Sequence, residues 1–401
     1  MTMSIRKALL GAKLVVGNGR QIEDAVVIIE GERIVAAGVC GEVVVPPDAE
    51  VIDVAGQTLM PGLINCHAHM CMDGSADPVG SWRDRALEDN VAMAARQAED
   101  ALRAGVTTLR DLRGWGDVDL LLKKAIAQGF VEGPRLLVSG QIGMRVRGDA
   151  EARKAVQDKI AAGYDVVKLT GSARLRYEEL CAVVDEARRL GVPSATHALG
   201  ATGYKEAIAA GITSIEHGIQ LDAEAIDMMV EKGTYFVPTL AGLHLIRQAG
   251  AASGIPSFML EMAVQGRDTH LEGFRMARAA GVRIGAGNDG GGPFNRADNL
   301  AGELECLVEA GMSPTEALAA AHSTAADLLQ LGGEIGTVEA GKAADLVVVD
   351  GDPTLDISAV RQVRMVFKAG RSIAITPREK PLPIAAMLRE TGYKTEHRTA
   401  A

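Results

Sequence analysis

Side chains that can bind a metal ion end several predicted β-strands of this chain. They are His67 and His69 on one segment, followed by Lys168, His197, His217 and Asp289 on separate segments. The chain contains only eight histidines, and half of them fall at these strand ends. Imidazole nitrogen and carboxylate-type oxygen are typical ligands of zinc and similar divalent ions. The recurrence indicates a metal-assisted hydrolase.

The spacing of these residues suits shared coordination. Residues two apart in a strand face the same way, so His67 and His69 can bind one ion together. Lys168 lies on an otherwise apolar strand, where lysine is rare. It could be an amine paired with a buried carboxylate, or it could react with carbon dioxide to give a carbamate, an anionic oxygen ligand that bridges two cations. The chemistry of the residue alone leaves both readings open.

Asp289 ends the last of these strands and is followed by Gly290-Gly291-Gly292-Pro293. An aspartate in this position can contact a metal and accept a proton from bound water. It could instead cap the helix that follows, a common use of this residue type.

Composition limits the classes of protein to which the chain can belong. It has 401 residues, 47% hydrophobic and 23% charged, which suits a folded globular protein and excludes a disordered one. The net charge of −10 argues against a nucleic-acid partner, and no apolar run is long enough for a membrane span. We interpret the N-terminus as a strand and not as a signal peptide. The five cysteines are scattered, which predicts a reducing, cytoplasmic environment.

A repeated local pattern predicts the architecture of the middle of the chain. An alanine-rich amphipathic segment, a glycine and a short β-rich run follow one another, with the glycines at 105, 163, 191, 211, 233 and 281. Glycine just past a helix end closes the helix in the left-handed conformation. Eight strands are predicted, at 63–69, 106–110, 135–139, 166–170, 193–197, 213–217, 235–239 and 283–289. The pattern predicts an α/β fold, a (β/α)8 TIM barrel with its chemistry at the carboxyl ends of the strands, with an open doubly wound sheet as the alternative.

Both chain ends are β-rich, and neither could bury two faces alone. We therefore expect them to form one small β-sandwich domain beside the barrel. The expected division is 1–61 for the N-terminal part of the sandwich, 62–334 for the barrel, 335–371 for the C-terminal part, and 372–401 for an arm or tail.

Three segments resemble the amidohydrolase superfamily. They are Met-Pro-Gly-Leu-Ile-Asn-Cys-His-Ala-His at 60–69, Ser-Ile-Glu-His-Gly at 214–218, and Gly-Thr-Val-Glu-Ala-Gly-Lys-Ala-Ala-Asp-Leu-Val-Val at 336–348. Within the superfamily the chain is most similar to the imidazolonepropionase-like and metal-dependent dipeptidase (prolidase-like) branch, over nearly its whole length.

The resemblance implies a site of two divalent ions, most simply zinc. By this resemblance, His67, His69 and Asp289 would hold one ion and His197 and His217 the other. Carboxylated Lys168, which takes up carbon dioxide as its carbamate, and a hydroxide would bridge them. The catalytic residues implied are Asp289, Lys168 and His217, with Asp289 passing the proton from the hydroxide to the leaving amine.

Departures from the family pattern bear on the reaction. Deaminase branches usually show His-x-x-Glu where this chain has His197-Ala198-Leu199-Gly200, and that glutamate is their proton shuttle. Its absence beside Lys168 favours two metals and hydrolysis of an amide C–N bond, in a dipeptide or N-acyl amino acid. The alternatives are a cyclic amide, urea or carbamate substrate, a deaminase, and a non-catalytic scaffold. A homo-oligomer is expected from the resemblance.

Residues that contact the substrate are harder to predict. Arg145 and Arg147, in the loop after the third strand, could clamp a substrate carboxylate or could simply be solvated. Tyr204, His244 and Trp115 fall in strand-end loops and are candidates for lining the pocket. His270 lies in a helical segment and is interpreted as an ordinary surface residue.

Overall fold

The computed structural model describes residues 6–143, 146–169, 175–198 and 203–376. These residues form two sheets, one of eight strands and one of seven, together with the helices that surround the second. None of the helices described is long and apolar enough to cross a membrane.

Fifteen strands lie in the described residues. They are β1 (Arg6–Val15), β2 (Gln21–Glu30), β3 (Arg33–Val39), β4 (Glu50–Asp53), β5 (Gln57–Pro61), β6 (Leu63–Ala68), β7 (Val106–Asp111), β8 (Arg135–Ile142), β9 (Val166–Leu169), β10 (Ser194–His197), β11 (Ser214–Glu216), β12 (Tyr235–Val237), β13 (Leu346–Asp350), β14 (Val363–Lys368) and β15 (Arg371–Ile373).

Twelve α-helices lie in the same residues. They are α1 (Pro78–Asp84), α2 (Leu87–Arg103), α3 (Val118–Ala127), α4 (Asp149–Ala161), α5 (Tyr177–Arg189), α6 (Tyr204–Ala209), α7 (Ala223–Lys232), α8 (Leu240–Ala249), α9 (Ser257–Ala279), α10 (Leu300–Glu309), α11 (Pro314–Ala320) and α12 (Ser323–Leu328). Short 3₁₀ helices cover Ala251–Ser253 and Ile357–Arg361.

The seven-stranded sheet is parallel, and its spatial order from β6 to β12 is the order of the chain. Helices connect successive strands, as crossover connections between parallel strands require. The six glycines of the repeated pattern all take positive φ, between 67° and 102°, at the helix-to-strand junctions. The predicted α/β barrel architecture is confirmed, and the seven ladder strands begin and end within three residues of the predicted bounds.

The predicted eighth strand, 283–289, lacks a full ladder: it has one bridge to β12 at Ile284, and the residue after it, Gly290, has one bridge to β6. The Arg283 carbonyl accepts a hydrogen bond from the Phe236 backbone nitrogen, and the Ala286 carbonyl accepts one from the Cys66 backbone nitrogen, both at 2.9 Å. The segment therefore bridges β12 and β6 and nearly closes the barrel. The approach is close: a Cβ on Gly287 would stand 2.8 Å from the His67 backbone nitrogen and 2.7 Å from a Val237 methyl carbon.

Both chain ends join in the eight-stranded mixed sheet, in the order β15-β14-β13-β5-β1-β2-β3 with β4 also paired to β1. Alternate residues of its strands enter different apolar clusters. Leu9, Val27 and Ile29 belong to one cluster, and Ala8, Val26 and Ile28 belong to another. This alternation is what a sheet with apolar contacts on both faces requires. The prediction that strands from both chain ends come together beside the barrel is confirmed, and they form a single mixed sheet. The predicted bounds of a β-sandwich domain, 1–61 and 335–371, stay a prediction.

Candidate metal centre

The six predicted ligands lie at one end of the barrel. His67 is on β6 and His69 follows that strand, Lys168 is on β9, and His197 is the last residue of β10. His217 follows β11, and Asp289 lies on the closing segment. Because parallel strands end on the same side of a barrel, the fold places all six side chains around one mouth. His67 and Lys168 are buried, with exposed fractions of 0% and 1%.

Two histidines and an aspartate form a compact cluster. The Nε2 atoms of His67 and His69 lie 3.4 Å and 3.1 Å from the Asp289 Oδ1 atom. One ligand atom from each residue can be chosen so that all lie within 4.8 Å of one another. Burial would raise the pKa of the Asp289 carboxyl, but its hydrogen bond with His69 and the nearby imidazoles hold it well below its usual range. An ionised carboxylate and two imidazoles make a donor set that fits a divalent cation.

His197 and His217 form a second donor pair next to this cluster. Their rings stack with centroids 4.7 Å apart, and His197 Nδ1 lies 2.6 Å from His217 Nε2. The His217 ring is also 4.8 Å from that of His67, so the two groups are continuous. Burial lowers the pKa of His217 to about 3 and places that of His197 well below its usual value. Neutral imidazole is the form that binds a metal.

Lys168 has a buried amine with no hydrogen-bond partner among the described residues. A buried ammonium without a partner is costly, and burial lowers the pKa of Lys168 to about 8. The uncharged amine is the form that reacts with carbon dioxide. A buried Nζ atom without a partner therefore fits a lysine that reacts with carbon dioxide, a group that the polypeptide itself does not supply.

Glu216 contacts the His67 ring and holds it in position, and Arg110 in turn holds Glu216. Glu216 Oε2 lies 2.7 Å from His67 Nδ1, which leaves Nε2 directed at the cluster. Glu216 Oε1 accepts from Arg110 at 2.8 Å and from the Ser214 hydroxyl at 2.6 Å. Burial would raise the pKa of Glu216, but the charges of Arg110 and His67 keep it well below its usual range. A carboxylate behind a ligating imidazole fixes its tautomer and increases its basicity.

Thr239 plays the corresponding part for His217. Its Oγ1 lies 2.8 Å from His217 Nδ1, so His217 Nε2 is turned toward His197. Glu303, on α10, accepts from the backbone nitrogens of Leu240 and Ala241 at 3.0 Å and 2.7 Å and so anchors the turn that carries Thr239. The turn that carries Thr239 is therefore part of the site.

Three of the eight non-glycine residues with positive φ in the described chain belong to this centre. They are His217 at 70°, Thr239 at 53° and Asp289 at 56°. Non-glycine residues adopt this conformation at a cost that surrounding contacts must offset, and such residues concentrate at functional sites.

A cavity of about 210 Å³ opens beside the cluster and contacts His69, His197, His217 and Asp289. One of its walls is apolar and is formed by Ile219, Leu243, Ile246, Met259 and Met262. Arg113 and Trp115, from the loop that follows β7, form part of another wall. The interpretation of Trp115 as a lining residue is thus supported by its position.

Three of the other predicted substrate residues lie away from the cluster, and the fourth, Arg145, is outside the described residues. Arg147 is exposed and donates to the Val146 carbonyl at 3.0 Å. Tyr204 is buried, and its hydroxyl donates to the Gln220 carbonyl at 2.9 Å. His244 lines a separate cavity of about 130 Å³. The structure does not bring the side chains of Arg147, Tyr204 and His244 to the metal cluster, and the roles of all four residues stay predictions.

The interpretation of His270 as a surface residue is wrong. Its side chain is 2% exposed, lies against the backbone of His217 and Pro238, and borders the cavity beside the cluster. Periodicity alone could have found it, because His270 lies four residues before Phe274 on the buried face of α9. The role of Glu216 was also missed, and the sequence offered a clear signal for it: an acidic residue inside a short buried strand, directly before a predicted ligand histidine.

A parallel barrel with histidines, a lysine and an aspartate at its strand ends defines a metal-dependent hydrolase of the TIM-barrel type. The amidohydrolase family model matches residues 58–373, and the chain belongs to this family. It is therefore a hydrolase that acts on carbon–nitrogen bonds.

Several proteins are similar over most of the chain. Ochratoxinase of Aspergillus niger is 28% identical over 373 residues, which cover 78% of this chain and 75% of that protein. The structure of a Xaa-Pro dipeptidase with methionine bound in its active site has a TM-score of 0.82 and 28% identity, covering 92% of this chain and 99% of that one. A putative prolidase from Bifidobacterium longum has a TM-score of 0.80 and 30% identity, covering 97% and 100%.

Proposed function

We propose that this chain is a binuclear metal-dependent amidohydrolase that cleaves the amide C–N bond of a dipeptide or an N-acyl amino acid. The observation that carries the proposal is Lys168: its buried amine has no partner among the described residues. The charges of that amine and of Asp289 act on His217 across the same mouth. A carboxylated Lys168 would supply the anionic ligand that joins the His67–His69–Asp289 group to the His197–His217 pair.

Two divalent cations, most simply zinc, would lower the pKa of water and polarise the scissile carbonyl. The residues of the chain would hold and orient the rest. Asp289 is ionised and faces the cavity, so its carboxylate can accept a proton from the attacking water and pass it to the leaving nitrogen. Glu216 fixes the tautomer of His67, and the contact of Thr239 with His217 Nδ1 orients the His217 ring, so that one nitrogen of each ring is directed at the centre.

The likeness to structures of a Xaa-Pro dipeptidase and a putative prolidase supports a substrate built from amino acids. The similarity to ochratoxinase and the family match support amide hydrolysis. The scattered cysteines support a cytoplasmic location. The family resemblance suggests a homo-oligomer acting on a small-molecule amide.

The test is amino-acid release by zinc-loaded protein from a library of dipeptides and N-acyl amino acids. Metal content is measured on the same samples by plasma mass spectrometry. We expect release from a defined subset, about two metal ions per chain, and loss of both in Lys168→Ala. Lys154→Ala is the matched control, because Lys154 is an exposed helix residue paired only with Asp158.

A ¹³C carbonyl resonance after growth or incubation with labelled bicarbonate, absent in Lys168→Ala, would establish the carbamate directly. Silence across the library from protein that holds two metals would contradict the amino-acid substrate and leave a cyclic amide, urea or carbamate. One metal per chain with an intact Lys168 amine would contradict the binuclear centre.

A further inference from the structure

Arg113 stands at the wall between two cavities. One is the cavity of about 210 Å³ beside the metal cluster, and the other is a larger one of about 1130 Å³ under α1. Both cavities are lined by Arg113 and Trp115. A group at this position can contact a molecule that is bound at the metal cluster and extends into the larger cavity.

The loop after β7 fixes the position of Arg113. The Asp111 carboxylate accepts from the Arg113 backbone nitrogen at 3.0 Å, and its other oxygen accepts from Met70 at 3.1 Å. The guanidinium carbon lies 4.5 Å from the centre of the Trp115 ring. Trp115 in turn stacks on Trp82 of α1, with centroids 5.3 Å apart and ring planes at 29°. A cation held on an aromatic face loses little freedom when it binds a ligand.

Within the described residues, no carboxylate lies within ion-pair distance of the Arg113 guanidinium, and its buried Nε atom has no hydrogen-bond partner there. Burial, together with the charge of nearby Arg83, lowers the pKa of Arg113. In a chain of net charge −10, a half-buried arginine left without a carboxylate is a position where an anion would be stabilised.

Another part of the lining of the small cavity has a different character. Ile219, Leu243, Ile246, Met259 and Met262 belong to one apolar cluster, and all five line the cavity together with Arg113. A molecule that fits both parts of the lining carries a hydrocarbon group at one end and an anionic group at the other. Its amide would lie between them, beside His69, His217 and Asp289.

We propose that Arg113, supported by the Trp115–Trp82 stack, is the residue that selects substrates carrying a carboxylate on the amine side of the scissile amide, with a bulky apolar acyl group on the other side. The proposal rests on the amide hydrolysis proposed above. It names an N-acyl amino acid with a large apolar acyl group as the substrate class. The guanidinium would donate two parallel hydrogen bonds to the carboxylate oxygens.

The two tryptophans of the stack are the only two in the chain, so intrinsic fluorescence reports on this position without any turnover. The probes are isobutylsulfonyl-leucine, a sulfonamide that amide hydrolysis cannot cleave, and its uncharged carboxamide. Each is titrated into zinc-loaded wild-type protein and into Arg113→Met, Arg113→Lys and Arg96→Met. Arg96 is exposed on α2 and is the matched control.

We expect wild-type protein and Arg96→Met to bind the acid about 10- to 100-fold more tightly than the carboxamide, the range for a hydrogen-bonded charge. Arg113→Met should bind both equally, and Arg113→Lys should recover part of the preference. In parallel, isovaleryl-leucine hydrolysis by Arg113→Met should show a raised KM with kcat changed much less. An unchanged emission maximum and urea midpoint would show that the stack has not collapsed.

Equal binding of acid and carboxamide by the wild-type protein, or the same preference in Arg113→Met, would overturn the proposal. The two proposals fail separately. Hydrolysis of neutral amides with no dependence on Arg113 would leave the hydrolase and remove the anion site. Selective, Arg113-dependent fluorescence changes in a protein that cleaves no amide would leave the anion site and remove the proposed hydrolysis.

Discussion

The mixed sheet and the barrel sheet bury side chains of different chemistry. Within the described strands of the mixed sheet, Thr58 is the one polar residue with a fully buried side chain, and the other buried side chains there are apolar. The barrel strands instead bury His67, Arg110, Lys168 and Glu216, each at most 1% exposed. Buried charge is costly unless it is paired or bound. The difference indicates that the mixed sheet contributes stability, whereas the barrel sheet holds the reactive centre.

The contrast extends to the backbone. The strands of the mixed sheet run up to ten residues, whereas β11 and β12 have three each. Short strands end in turns, and His217 and Thr239 occupy those turns with positive φ. In β11 and β12, regular hydrogen bonding therefore stops where the predicted ligand His217 and its partner Thr239 begin, and strained backbone of this kind is frequent at functional sites.

Breaking the buried ion pair of the barrel should have the largest effect. Arg110→Met leaves the Glu216 carboxylate buried without the guanidinium that lies 2.8 Å away. We expect the free energy of unfolding of the metal-free protein to fall by about 3–5 kcal/mol, the usual result of removing one partner of a buried pair. Urea denaturation in the presence of a chelator measures this without a contribution from metal binding.

The double variant Arg110→Met/Glu216→Gln provides the control. It removes the uncompensated charge, so it should be more stable than Arg110→Met by at least about 1 kcal/mol, although it loses a contact to His67. A double variant less stable than the single one would contradict the view that the charge, and not the volume of the side chain, is what the barrel must compensate.

Truncation in the mixed sheet should lower stability by a similar or smaller amount and spare function. Leu9 is fully buried in the larger apolar cluster of that sheet. Leu9→Ala should cost about 2–5 kcal/mol through lost transfer free energy and a cavity. At a temperature where the variant stays folded, kcat/KM should change less than twofold. A larger loss of kcat/KM in the folded variant would show that the mixed sheet contributes to the reaction.

Removing the hydroxyl behind His217 should have the opposite signature. Thr239→Val keeps the β-branched shape but removes the group 2.8 Å from His217 Nδ1. We expect kcat/KM or metal affinity to fall about 10- to 100-fold, the usual effect of losing a partner of a ligating histidine, with a small change in unfolding. Thr234→Val is the comparison, because its buried hydroxyl bonds the Ile212 carbonyl away from the centre. Equal losses in both variants would mean that Thr239 acts only through packing.

The sequence predicted the parts of this site that regular strand geometry controls. His67 and His69 share a face because residues two apart in a strand must do so. Asp289 reached the same mouth because the glycine-closed helices made the strands parallel. The closing segment was placed within a residue, although its ladder is reduced to single bridges. Such regularities are local, and one chain displays them.

The residues that were missed depend on tertiary contacts. Arg110 and Glu216 are 106 positions apart in sequence, and nothing in either strand predicts that they pair. Trp82 lies on α1, whereas Arg113 and Trp115 lie in the connection between β7 and α3, and only the folded chain brings the rings of the two tryptophans together. Loops carry no hydrophobic period, which is why the sequence pointed to Arg145 and Arg147 as clamps and passed over Arg113.

The smallest expected effect concerns a buried titratable group outside the centre. His322 precedes α12 where the barrel meets the mixed sheet, since Ser323 donates to the Gly17 carbonyl at 3.3 Å. Burial lowers the pKa of His322 from 6.5 to about 4. The unfolded chain then binds more protons than the folded one between these values, so the contribution of His322 is complete above pH 6.5 and is lost as the pH falls toward 4. Between pH 7.5 and 5.5 this loss should lower the free energy of unfolding by about 1 kcal/mol.

His322→Asn should therefore show a weaker loss of stability on acidification than the wild-type protein, by about 1 kcal/mol over that range. Urea denaturation of both proteins at the two pH values, with chelator present, measures the difference, and the half-buried His244→Asn serves as the control. An identical pH dependence in His322→Asn and wild type would show that His322 is not kept neutral by burial. A change in metal content in His322→Asn would break the comparison itself, because a titratable side chain outside the barrel mouth would then belong to the reactive centre.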